Sequence, residues 1–73
     1  MIENESKSGR FKRLATLRTN IILKRLKVLG NCSNRQAYEY TEDEIKKIFS
    51  TIEEQLRIVR SKFHFPKDKE FKL

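Results

Sequence analysis

Between Ser6 and Tyr38 the chain places nine cationic side chains and not one aspartate or glutamate: Lys7, Arg10, Lys12, Arg13, Arg18, Lys24, Arg25, Lys27 and Arg35. The other eight cations share the rest of the chain with ten acids, so the whole formal excess of +7 belongs to the N-terminal half. Charge gathered in this way suits a polyanion. Lysine and arginine on an exposed helix face neutralise phosphates and release counterions, which gives salt-dependent affinity without any base being read. The candidates for that role are Arg10, Lys12, Arg13, Lys24 and Lys27, joined by Arg35 further on. The plain alternative is a solvated basic face that only keeps a small protein in solution.

Other chemistry finds few residues. Nucleophilic catalysis needs a base held against the nucleophile. Cys32 has a single histidine to draw on, and His64 lies at the far end of the second helix outlined below, about 30 Å away in an antiparallel hairpin. Cys32 is expected as a small buried loop residue. One cysteine excludes an internal disulfide, and one histidine beside it excludes a four-ligand zinc site. Glu42, Asp43 and Glu44 read as the first turn of a helix, and Glu53 and Glu54 as surface pairing. With only Gly9 and Gly30, no glycine-rich phosphate loop can be built. No enzyme activity and no cofactor are expected.

These cations must be positioned by helices. From Gly9 to Leu29 apolar residues recur at helical spacing, and Gly30 falls where a helix wants a left-handed stop. In the connector, Ser33 and Gln36 fit a capping box ahead of a short helical turn through Ala37 and Tyr38. Thr41 with Glu44 is a stronger start signal, reinforced by three acids where the helix dipole favours negative charge. The second helix is expected to run to about His64, since Pro66 disfavours helical geometry at Phe65. Residues 1–8 read as a flexible tail, 9–64 as a helical hairpin and 65–73 as a C-terminal tail whose Phe71 and Leu73 could dock.

The two helical faces differ. Ile45, Phe49, Ile52, Leu56, Val59 and Phe63 follow alternating spacings of four and three, a heptad-like seam for one neighbour, widened by Ile48. Outside it, Glu53 and Arg57 form a well-placed i,i+4 pair. In the first helix the apolar arc covers about half the circumference. Leu14, Leu17, Ile21 and Val28 lie on one side of it, and Phe11, Ala15, Ile22, Leu26 and Leu29 on the other. Arg18 and Arg25, seven apart, fall inside the arc, where their stems can pack while their heads reach a carboxylate.

A chain of 73 residues makes one domain at most, with a core that rarely supplies more than roughly 3–5 kcal/mol. An apolar arc too wide for one neighbour points to a second copy. The expected fold is all-α: an antiparallel hairpin of two long helices with a structured connector, dimerising into a four-helix bundle. The polar, acidic N-terminus carries no secretory core, and the longest apolar run, Ile21 to Leu23, is far short of a membrane span. A cytoplasmic protein without integral membrane association is expected. Its leading partner is nucleic acid, DNA or RNA, held through the first helix. The alternative is a regulatory module docking a larger protein through that helix's apolar face.

The run Leu29-Gly30-Asn31-Cys32-Ser33-Asn34, then Tyr38-Glu39-Tyr40-Thr41, then Ile45, Lys47, Ile48 and Phe49, resembles a pattern in small uncharacterised bacterial helical proteins, some carried by mobile elements. The likeness covers roughly residues 10–63. It implies a helical fold and transfers no functional residues.

Overall fold

Ser6 starts the first helix. Its extended backbone (φ −67°, ψ 161°) and hydroxyl, which accepts from the Gly9 N–H at 2.9 Å, satisfy one of the donors a helix start leaves open. Helix α1 therefore spans Lys7–Gly30 and begins two residues before the apolar period does. A Cβ at Gly9 would stand 3.2 Å from the Ser6 Oγ, so the bare glycine leaves room for the cap. The computed structural model describes residues 5–65, and among these it is helical with no strand.

The C-terminus of α1 corrects the expectation at Gly30. That residue is right-handed (φ −57°, ψ −26°), and no described residue has positive φ. The helix tightens into a 3-10 turn, η1 (Asn31–Ser33), and the Asn31 N–H donates to the carbonyls of Val28 and Leu29. A tightened turn satisfies terminal carbonyls that a left-handed glycine would otherwise help to cover.

In the connector Asn34 organises the turn at 35–37. Its side-chain oxygen accepts from the Gln36 N–H at 3.0 Å, and its carbonyl from the Ala37 and Tyr38 N–H groups at 3.1 and 2.9 Å. An asparagine bonding its own backbone two residues on is an ordinary turn device. A hydrogen-bonded turn built on Asn34 stands where a short helical turn through Ala37 and Tyr38 is expected.

Helix α2 (Glu42–Ser61) opens on a complete capping box, as the sequence predicts. The Glu44 N–H donates to Thr41 Oγ1 at 3.1 Å and the Thr41 N–H to Glu44 Oε1 at 2.8 Å. Its end comes three residues before His64. The Ser61 hydroxyl donates to the Ile58 carbonyl at 2.6 Å, and the Lys62 and Phe63 N–H groups bond three residues back, to Val59 and Arg60. Local tightening stops the helix before the proline restriction at Phe65 is reached, so Phe63 is not on the helical seam.

The chain divides into two units, one through Glu39 and one from Tyr40. No described side chain is buried. In α1, Leu17, Ile21 and Val28 are 50–56% exposed, and in α2 Phe49 and Leu56 are 47% and 56% exposed. The expected docking of Phe71 and Leu73 lies outside the described residues.

Candidate nucleic-acid interface

Five of the six candidate cations lie on α1. Turning about 100° per residue sets Lys12, Arg13, Lys24 and Lys27 opposite the apolar arc. Arg10, expected on the solvated side with the others, falls inside the apolar arc, in phase with Val28. All six candidates are exposed. Lys12 and Lys27 are separated by about 22 Å along the axis. No acid stands within the helix itself.

Arg13 is not an open cation. Its Nε and Nη2 donate to Glu5 Oε2 and Oε1, both at 2.9 Å, in the fork geometry that suits a carboxylate. Only 18% of the Glu5 side chain remains exposed, against 55% for Arg13. The hydrogen bond from Arg13 holds the Glu5 carboxyl below its ordinary pKa, and the same bond raises that of the guanidinium. Arg13 can reach a phosphate only by giving up Glu5. The pair spans eight residues and starts before the helix cap, outside the i,i+3 and i,i+4 neighbourhoods read from helical sequence.

Arg35 stands on a different turn from the α1 row. It lines an open surface hollow with Gln36, Ala37, Tyr38 and Glu39, so a carboxylate shares its surroundings.

Charge alone passes over Thr16, Thr19 and Asn20. These exposed residues fall between Lys12 and Lys27 on the same side of α1. Hydroxyl and amide groups of this kind are common donors to phosphate oxygens. Their helical phase with the two lysines is the signal that finds them.

On α2 the charges balance. Arg57 donates from Nη2 and Nε to the two carboxylate oxygens of Glu54 at 2.6 and 3.1 Å, which corrects the expected pairing with Glu53. Both glutamates are one turn away, and the i,i+3 partner takes the whole fork. This bond lowers the Glu54 pKa and raises that of Arg57. Cys32, expected to be buried, is exposed in η1, because three residues of 3-10 turn offer nothing to cover it. Among the described residues no group of three or more His, Cys, Asp or Glu could hold a metal, and no helix is long and apolar enough to cross a membrane.

Comparison with protein-family models, curated proteins and solved structures returns no match.

Proposed function

We propose that this chain is a non-catalytic, accessory nucleic-acid-binding module that grips the phosphate backbone through the polar side of α1. Lys12, Lys24 and Lys27 carry the contact, with Arg10 at its edge, Arg35 beside it and Thr16, Thr19 and Asn20 as neutral donors. The observation that supports this reading is the acid-free row of exposed lysines along a 24-residue helix. Contacts of this type position a protein on nucleic acid without specifying sequence.

The fold that would present this face is an antiparallel hairpin of α1 on α2, two copies of which make a four-helix bundle. Its support is the mismatch of apolar widths. The α2 stripe is about 100° wide and the α1 arc about 180°, so one α2 covers only part of α1. Fluorescence anisotropy with labelled duplex and single-stranded probes tests the function. Binding at low salt that fades as salt rises is expected, and charge reversal at Lys12, Lys24 and Lys27 should weaken all sequences alike. If neither probe binds even at low salt, the proposal fails.

A second reading rests on the exposure of Leu17, Ile21 and Val28, a face open enough to dock a larger protein. Retention of one acidic protein on the immobilised chain after nuclease treatment would favour it.

A further inference from the structure

The open hollow after η1 contains an aromatic ring. Arg35, Gln36, Ala37, Tyr38 and Glu39 line it, and Tyr38 is 54% exposed. Its backbone is fixed, because the Asn34 carbonyl accepts from the Tyr38 N–H at 2.9 Å and the Asn34 side chain holds Gln36. Its neighbours in the hollow are mostly hydrogen-bonding groups. Phe11 and Phe49, by contrast, fall within the apolar faces of α1 and α2. Tyr38 is thus an aromatic face offered from a polar turn.

We infer that one unpaired base stacks on Tyr38, a contact that single-stranded nucleic acid makes and a duplex does not. This rests on the phosphate reading proposed above and names the substrate class that the same surface takes.

Bases inside a duplex lie against one another and leave no face for a side chain. An unpaired base offers one, and its stacking on an aromatic ring tolerates any sequence because every base has a π-face. The rest of the hollow suits the base end of a nucleotide. Gln36 and Glu39 carry an amide and a carboxylate, groups that bond base edges, while Glu39 would repel a phosphate laid there. The phosphates fall to α1, whose last two turns hold Lys24 and Lys27. Only η1 and Asn34 separate that helix from the hollow, and both belong to the unit that ends at Glu39. Basic groove and aromatic platform are the two parts from which single-strand sites are built.

The test is anisotropy at low salt with three labelled probes: a single-stranded oligonucleotide, its duplex, and an abasic strand of equal length. The wild type should bind the single strand more tightly than the abasic strand. Tyr38→Ala should weaken the single strand by roughly tenfold and leave the other two probes unchanged. The salt slope should not move, since stacking releases no counterions. Tyr38→Phe should retain wild-type affinity. The chain has two tyrosines and no tryptophan, so in Tyr40→Phe the emission reports Tyr38 alone. The single strand should quench that emission and the abasic strand should not. Equal affinity for the single and abasic strands, unquenched emission, or a Tyr38→Ala effect that is nil or common to all probes overturns the inference and leaves phosphate binding standing. If no probe binds, the phosphate reading itself fails and this inference falls with it.

Discussion

Replacing Glu5 with glutamine should increase the number of phosphates this protein can neutralise. In the wild type, Glu5 holds the Arg13 fork with two 2.9 Å bonds, so Arg13 contributes little to a polyanion. On duplex DNA each neutralised phosphate adds about 0.9 to the slope of log affinity against log salt. Arg10, Lys12, Lys24, Lys27 and Arg35 then give a slope of about 4.5 per protomer. Glu5→Gln should steepen it by about 0.9, so that raising salt from about 50 to 200 mM costs a further factor of about 3.5. Lys12→Gln, Lys24→Gln and Lys27→Gln together should flatten it by about 2.7, while Arg13→Gln alone should change it by much less. Anisotropy of one labelled duplex across that salt range reads all of these. If Glu5→Gln leaves the slope unaltered while Arg13→Gln lowers it as much as Lys12→Gln does, the ion pair does not control Arg13 and the reasoning is wrong.

Three further outcomes follow from local geometry. Gly30→Ala should stabilise α1 by about 0.5–1 kcal/mol, because the glycine is right-handed and an added Cβ meets nothing within 4 Å; a loss of thermal stability by circular dichroism would mean that Gly30 is left-handed after all. Thr41→Ala should cost about 1 kcal/mol by removing the cap at the start of α2, read as a lower denaturation midpoint. Acidification should loosen the Glu5 and Glu54 pairs. Their carboxyl pKa values are lowered in the folded chain, so the stability they add is complete above the ordinary carboxylate value and is lost as pH falls through the lowered one. Helicity followed down a pH titration should hold steady from neutrality and decline only at the acid end.

The parts of the fold legible in the sequence are those decided within one helical turn. Thr41 and Glu44 satisfy each other three residues apart, so their pattern is enough to place the start of α2. The Ser6 cap is just as local, but no apolar period follows it closely enough to mark it. Gly30 misleads because glycine permits a left-handed stop without requiring one, and the η1 turn satisfies the end of α1 instead. Glu53 and Glu54 are both one turn from Arg57, and spacing alone does not choose between them. The candidate site was legible as a row of charges. The ion pair at Arg13 depends on a chain path before the helix that no periodicity encodes.

Whether phosphates bind the polar side of α1 is read residue by residue from backbone amide shifts of labelled protein titrated with a short duplex at low salt. Perturbations should concentrate on Lys12, Thr16, Asn20, Lys24 and Lys27 and fade as salt is added. Shifts confined to α2, or none at saturating duplex, would mean that α1 does not hold the phosphates.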